Sequence, residues 1–219
     1  MKTLLRKLLE NPLFFGLIIA TLAFLFALLS NVIDLFNTLE LKSYDLRFAL
    51  RGPQANRTAD IVIVGIDDQS FEDLRLNWPF PRSLYAKAIE NLKAAGARAI
   101  IFDIEFSDPD KYQRENDRLL AQAARKAGNG IFASKVMQYK NRAGLRLVKP
   151  NEVLLQSGAD WALIDVPEAL DGFNRQYDLF RKVDDTYAFP FAITAYQKLH
   201  RQKLRASNGT VALGSRQIP

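Results

Sequence analysis

The feature that most constrains this chain is an uncharged apolar run near its N-terminus. From Leu13 to Ile33 the sequence reads LFFGLIIATLAFLFALLSNVI, without a single Asp, Glu, Lys or Arg. At about 1.5 Å of rise per residue, a helix of this length crosses a hydrocarbon core of roughly 30 Å. The run is apolar on every face, which a core helix beside solvent would not be. The sequence therefore predicts a transmembrane helix over residues 13–33.

The flanks of this run predict its orientation. Lys2, Arg6 and Lys7 precede it, whereas Asp34 follows it directly. An excess of basic residues marks the cytoplasmic side, so residues 1–12 are predicted to lie in the cytoplasm. The rest of the chain then lies on the far side of the membrane, which this segment crosses once. A cleaved signal peptide is the alternative, but its apolar run usually has about 7–15 residues and ends at an A-x-A-like site.

Composition excludes several kinds of chemistry. The chain contains no cysteine, so it can form neither a disulfide framework nor a thiolate metal site. Its single histidine, His200, argues against a zinc enzyme. The net charge of +6 is dispersed along the sequence. A segment outside the cytoplasm does not meet nucleic acid, so no nucleic-acid partner is predicted.

The chain after the apolar run alternates between two kinds of segment. Residues 34–50 carry apolar side chains at helical spacing and predict a juxtamembrane helix, and residues 51–60 (RGPQANRTAD) predict a linker. The following segments predict, in order, a strand at 61–66, a helix at 82–96, a strand at 97–104, a helix at 116–128 and a strand at 129–137. This order is typical of an α/β fold, with a mostly parallel sheet that carries helices on both faces.

The last part of the sequence continues the pattern. A polar excursion is predicted at 140–150, a further strand at 161–167 and a helix at 189–200. The TVAL segment at 210–213 is a short strand candidate just before the sequence stops. An α/β domain seldom stops there, so we expect residues 61–219 to form an extracytoplasmic domain whose C-terminal part is missing.

Acidic residues gather where the predicted strands end. Asp67 and Asp68 follow the first strand, and Asp103 and Glu105 close the second. Ligands of open parallel sheets lie beyond the carboxyl ends of the strands, so these residues are candidate ligand contacts. Carboxylates on one rim would bind Mg²⁺ or Ca²⁺, or a cationic small molecule. The alternative is helix capping, with Asp68 and Ser70 starting the FEDLR segment.

The segment NWPFPR predicts a rigid start of the following helix. Pro79 and Pro81 fix the backbone, and Pro81 suits the first helical position, where its missing N–H costs nothing. Trp78 offers a large apolar surface, and Arg82 is near enough in sequence to pair with a rim aspartate. One interpretation is a lid packed on the core. The other is a pocket walled by Trp78 and Arg82, with Asp67 as its floor.

No catalytic residue is predicted. A Ser–His–acid arrangement would have only His200, on a predicted helix, and the sequence has no GxGxxG or GxxxxGK[ST] phosphate loop. No cofactor is expected apart from a divalent cation at the acidic rim. Whether the full protein is an enzyme stays open.

Several segments, in this order, resemble the second class of CHASE domains. They are YDLRFALR (44–51), IVIVGIDDQS (61–70), WPFPR (78–82), GARAIIFDIEF (96–106) and DGFNR (171–175). They follow an N-terminal membrane helix, and the resemblance covers the chain from about Leu39 to its end. One departure is that the family tends to carry an aspartate-rich turn before its late DG, whereas Asp171 stands alone here.

The resemblance implies a bacterial receptor in the inner membrane, with a periplasmic or extracellular sensor and a cytoplasmic output. That output would be a nucleotide cyclase, the expectation here, or a Ser/Thr or histidine kinase. A homodimer is also implied, because outputs of this family commonly work in pairs. The expected ligand is an unknown extracytoplasmic molecule, and the candidate contacts are Asp67, Asp68, Trp78, Arg82, Asp103 and Glu105.

A second class of function is a periplasmic assembly module that binds protein instead of a small ligand. Phe173, Tyr177 and Phe180 lie close together in DGFNRQYDLF and would form an apolar patch on its surface. The alternative for these rings is ordinary packing beneath a long loop.

Overall fold

The computed structural model describes most of the chain. The described residues are 12–32, 35–52, 61–139, 144–169, 171–202, 204–207, 210–213 and 216–218. The predicted cytoplasmic segment up to residue 11, the linker at 53–60 and part of the polar excursion, 140–143, lie outside them. The chain divides into two compact units, Met1–Gly65 and Ile66–Pro219.

The described part of the first unit is helical. Helix α1 spans Pro12–Val32 and helix α2 spans Leu35–Arg51, each shifted by about one residue from its predicted span. Within α1, the window Pro12–Leu29 has a mean hydropathy of 2.5 and none of it is buried. The helix is therefore long and apolar enough to cross a membrane, as the sequence predicts from length and composition.

The second unit is mixed α/β, which confirms the predicted class. Its helices are α3 (Asp68–Leu74), α4 (Arg82–Ala94), α5 (Arg114–Ala127), α6 (Glu152–Leu155) and α7 (Phe191–His200). Its strands are β1 (Ile100–Phe102), β2 (Gly130–Gln138), β3 (Leu145–Val148), β4 (Asp160–Leu163), β5 (Arg181–Val183), β6 (Thr186–Ala188), β7 (Leu204–Ser207), β8 (Thr210–Leu213) and β9 (Arg216–Ile218). Helix α5 ends at Gly128, whose φ of 68° is a conformation that glycine adopts without strain.

The sheet is parallel at its centre. Strand β2 pairs in parallel with β1 on one side and with β4 on the other. The second half of β2 also pairs with β3 in the antiparallel sense, so the predicted polar excursion contains a strand. Strands β5 and β6 form a separate antiparallel pair, and β7, β8 and β9 form an antiparallel sheet that includes the predicted TVAL strand.

Aromatic rings from β1, β2 and the loop after β1 form the centre of the core. Phe132 is fully buried and stacks on Phe102, with their ring centroids 5.0 Å apart. Phe106 meets the Phe132 ring edge-on at 5.7 Å. Tyr85 from α4 and Leu120 from α5 belong to the same buried cluster. Helices α4 and α5 are thus fixed to the sheet by the packing of large side chains.

The opposite face of β2 is buried as well. Successive strand residues point to opposite faces, so Ile131 and Ala133 face away from Phe132, and both are buried. Helix α7 contacts β2 and β4. Buried side chains therefore lie on both faces of the sheet.

The prediction of a first strand at 61–66 is wrong. These residues form neither helix nor strand, and Ile61, Val62, Ile63 and Val64 have exposed fractions from 68% to 89%. Among the described strands, β1 pairs only with β2. A run of β-branched residues favours an extended backbone, but pairing requires a neighbouring strand that this local preference does not supply.

The packing around α5 generates a matched pair of stability predictions. Leu120 is 1% exposed and its neighbour Leu119 is 41% exposed. We expect Leu120→Ala to lower the free energy of unfolding by about 2–5 kcal/mol, because it removes buried methyl groups and leaves a cavity. Leu119→Ala should change it by no more than about 0.5 kcal/mol. Urea titration in detergent, followed by tryptophan fluorescence, measures both; equal effects would contradict this core assignment.

Candidate functional site

A cavity lies at the carboxyl end of β1, against the start of α4. Its volume is about 550 Å³, and it is lined by residues 78–80, 82, 85, 104–111 and 135. Small-molecule sites in proteins typically have about 300–1,000 Å³ and combine apolar walls with a few polar groups. Both its size and its place beyond a parallel strand fit that description.

The first wall is the segment that leads into α4. Phe80 is 4% exposed, and its ring contacts Phe71 and Trp78, with centroid distances of 5.0 and 5.8 Å. Trp78 itself is 47% exposed and lines the cavity. Pro81, with φ of −55°, is the residue before the first turn of α4. Both rings therefore line the cavity, and the buried Phe80 ring also anchors the segment in the core.

Arg82 joins this wall to α5. Its guanidinium is buried, pairs with the Asp117 carboxylate and donates to the backbone carbonyl of Asp108. It also lies over the Phe106 ring, 5.3 Å from the centroid. Burial lowers the pKa of Arg82, and the negative charges of Asp110 and Asp108 oppose that shift. The ion pair is thus buried and supported by further hydrogen bonds, which a buried charge requires.

The second wall is the loop between β1 and α5, which Asp110 organises. Its carboxylate accepts from the backbone N–H groups of Arg82, Tyr112 and Gln113, each at 2.8 Å. It also accepts from the side chain of Asn116 at 3.1 Å. Burial opposes ionisation of Asp110, but these donors outweigh it and lower its pKa. Asp110 therefore fastens the loop to the start of both α4 and α5.

Asp117 binds this loop from the other side. Its carboxylate accepts from the backbone N–H of Asp110 at 3.0 Å and from the Asn151 side chain at 2.9 Å. The backbone N–H of Asn151 donates to the carbonyl of Phe106 at 2.8 Å. Together with Arg82, these contacts fix the loop to three helices.

A second ion pair lines the cavity. Lys135 lies 2.5 Å from Glu105, and the two side chains are 33% and 38% exposed. The Ser107 hydroxyl also donates to Glu105, at 2.6 Å. Burial opposes ionisation of Glu105, but the hydrogen bonds from Lys135 and Ser107 keep its pKa below its ordinary value. Glu105 is therefore ionised at neutral pH.

Tyr85 is a buried polar group at the cavity. The residue is 6% exposed, and its hydroxyl has no hydrogen-bond partner among the described residues. Burial raises the pKa of Tyr85 to about 12. The charge of Arg82 and a nearby backbone group of Phe80 both act to lower it, although the Phe80 group does not meet hydrogen-bond geometry. An unpaired buried hydroxyl costs stability, and the packing of the surrounding core has to compensate for that cost.

The structure divides the predicted site residues into two groups. Trp78, Arg82 and Glu105 line the cavity, and their predicted role as ligand contacts stays a prediction. Asp67, Asp68 and Asp103 do not line it. Arg82 pairs with Asp117 of α5 and not with an aspartate at a strand end, and Asp67 is not the floor of the cavity.

The remaining acids have other positions. Asp67, and not Asp68, is the N-cap of α3, where its carboxylate accepts from the backbone N–H of Ser70 at 3.0 Å and from its hydroxyl at 2.8 Å. These hydrogen bonds lower the pKa of Asp67. Asp68 and Asp103 are exposed. In the part of the chain that the structure describes, no group of three or more His, Asp or Glu residues could hold a metal ion.

Sequence reasoning missed several residues of the site. Tyr85, Ser107, Asp110 and Lys135 line the cavity, and Asp117 supports it. The burial of Asp117 could have been predicted from the sequence, because Asp117 lies on the same apolar face of α5 as Leu120 and Ala124, three and seven positions later. A carboxylate on such a face requires a buried partner. The others are brought to the cavity by the tertiary fold.

Comparison with known proteins identifies the family. The chain matches the CHASE2 domain family over residues 18–219, which is most of its length. It therefore belongs to this family, whose domains are extracellular sensors of signalling receptors, as the resemblance of its motifs indicates. No curated protein and no solved structure matches the chain significantly.

The buried ion pair generates the prediction of this subsection. We expect Arg82→Met to lower the free energy of unfolding by about 3–5 kcal/mol, since Asp117 would stay buried without its partner. The matched control is Arg118→Met, which breaks a 3.0 Å pair with Glu115 whose side chains are 71% and 56% exposed. The Arg118→Met substitution should lower the free energy of unfolding by no more than about 1 kcal/mol.

Urea titration of both variants in detergent gives the comparison. The double variant Arg82→Met/Asp117→Leu should regain part of the lost stability, because no charge is then left unpaired. Equal losses in Arg82→Met and Arg118→Met would show that the buried pair does not hold the cavity walls.

Proposed function

We propose that this chain is the sensor portion of a bacterial transmembrane receptor and that the cavity between residues 78–82 and 104–111 binds a small extracytoplasmic ligand. The observation that carries the proposal is the cavity itself. It has a ligand-sized volume, and aromatic and charged side chains line it together. Membership in a family of extracellular sensors supports the same function.

Binding would act by changing the separation of the two walls. The first wall leads into α4 and the second leads into α5, and these two helices contact each other. A ligand shifts a conformational equilibrium only by the difference in its affinity for the two states. In this proposal the liganded state draws residues 78–82 and 104–111 together, and the chain relays that change through α2 and α1.

The proposed output lies in the cytoplasm and is a nucleotide cyclase that works as a homodimer. The receptor would reside in the inner membrane with its sensor in the periplasm. Support for pairing comes from α2, where Phe36, Leu39, Leu46 and Leu50 have exposed fractions from 50% to 79%. With Ser43, they follow the alternating three- and four-residue spacing of a coiled-coil seam, which a second copy would cover.

An assembly module is the second candidate. Phe173 and Tyr177 are 63% and 47% exposed, as such a surface requires. The patch is already partly occupied, however, since Arg175 lies 5.2 Å from the centroid of the Phe173 ring and pairs with Asp171. Phe180 packs edge-on against Tyr187, at 5.5 Å. The cavity therefore gives the sensor the stronger support.

Because the chain contains no cysteine, a single introduced thiol reports the side of the membrane. Lys126 is an exposed residue of α5, and Thr3 lies in the predicted cytoplasmic segment. We expect Lys126→Cys to react with a membrane-impermeant maleimide in intact spheroplasts, and Thr3→Cys to react only after lysis. If Lys126→Cys is protected until lysis, the domain is cytoplasmic and the sensor proposal fails.

A further inference from the structure

The charges at the cavity differ in how firmly the protein holds them. The buried Arg82 guanidinium donates to the Asp117 carboxylate and to the carbonyl of Asp108. The Asp110 carboxylate accepts hydrogen bonds from several donors. Glu105 and Lys135 are bound less tightly, since both are about one-third exposed and, apart from Ser107, pair only with each other among the described residues. Among the charged contacts of the cavity, the Glu105–Lys135 ion pair is therefore the one that a ligand can separate with the smallest loss of free energy.

The charges around the cavity are also balanced. The basic residues that line it are Arg82, Lys111 and Lys135, and the acidic ones are Glu105, Asp108 and Asp110. A cavity built for a polyanion or for a multivalent cation would carry an excess of one sign. The lining instead offers both signs close together, beside an aromatic surface.

We infer that the cavity binds a small zwitterion, an amino acid or short peptide with an apolar side chain, between Glu105 and Lys135. Its carboxylate accepts from the Lys135 ammonium, and its own ammonium donates to Glu105. The apolar side chain lies against the half-exposed ring of Trp78. This inference rests on the proposed function, because it names the ligand class of the same cavity.

The reason for a zwitterion is that both members of the opened pair regain a partner. A ligand with only a carboxylate would pair with Lys135 and leave Glu105 without an opposite charge. A ligand with only an ammonium would leave Lys135 unpaired in the same way. A ligand with a single charge replaces one lost charge contact with one new contact, whereas a zwitterion forms two, so ligands with a single charge should bind more weakly.

The test compares zwitterions with matched derivatives that lack one charge. The full chain in detergent is titrated by calorimetry with L-leucine, L-methionine, L-phenylalanine and the dipeptides of leucine and phenylalanine. Each ligand that binds is then compared with its amide, which lacks the carboxylate, and with its N-acetyl derivative, which lacks the ammonium. We expect saturable binding of at least one zwitterion, and at least tenfold weaker binding of both derivatives.

Variants locate the binding. Glu105→Gln and Lys135→Met should each weaken zwitterion binding at least tenfold, while thermal melting shows that the domain is still folded. The control is Asp160→Asn, which breaks the ion pair of Asp160 with Lys198, away from the cavity lining, and should leave the affinity unchanged. Zwitterion binding that none of the cavity variants alters would overturn the inference.

The outcomes also separate this inference from the proposed function. If derivatives with one charge bind as tightly as the zwitterion and Lys135→Met still weakens them, the ligand class is wrong and the cavity remains the sensor site. If no zwitterion saturates at millimolar concentration, the inference fails, while the thiol labelling independently decides whether the domain faces outward.

Discussion

The walls of the cavity meet at one buried ion pair, between Arg82 and Asp117. A charge in the protein interior is tolerated only with a partner and with hydrogen bonds around both groups. Asp117 therefore also receives the backbone N–H of Asp110 and the side chain of Asn151, and Arg82 reaches the carbonyl of Asp108. The start of α4, the loop after β1 and the helices α5 and α6 are tied together at this point.

That arrangement joins the two cavity walls at one point and leaves a second charge pair that a ligand can replace. The Arg82–Asp117 pair holds the walls together, and the partly exposed Glu105–Lys135 pair supplies the charges that a ligand can bind. The half-exposed Trp78 contributes an apolar surface to the same cavity. A sensor requires this combination, because a ligand must change the geometry of its site without unfolding it.

Much of the fold could be predicted from sequence because its signals are local. Helices α4 and α5 follow from apolar spacing and from the glycines after them, and β2 from its run of apolar residues. The strand predicted at 61–66 is wrong because pairing depends on a neighbour. With that strand absent, Asp67 caps a helix instead of facing a rim.

The candidate site could be predicted only in part. Trp78 and Arg82 stand out because the prolines around them fix the segment that carries them, and Glu105 because it follows a strand. Asp110 and Lys135 come from other elements and reach the cavity only through the packing of α5 and β2. The sequence spacing of Asp110 and Lys135 follows neither helical nor strand periodicity, so it does not predict that the two side chains meet.

The most direct measurement of the central claim is hydrogen exchange in the full chain with the mild substitution Arg82→Lys. This variant keeps the charge but loses the planar guanidinium that reaches two acceptors at once. If the ion pair ties both walls together, the backbone N–H groups of residues 82, 112, 113 and 151 should exchange faster as one set, while those of β5 and β6 stay unchanged. Faster exchange confined to the segment around residue 82, or spread evenly over the whole unit, would contradict the account.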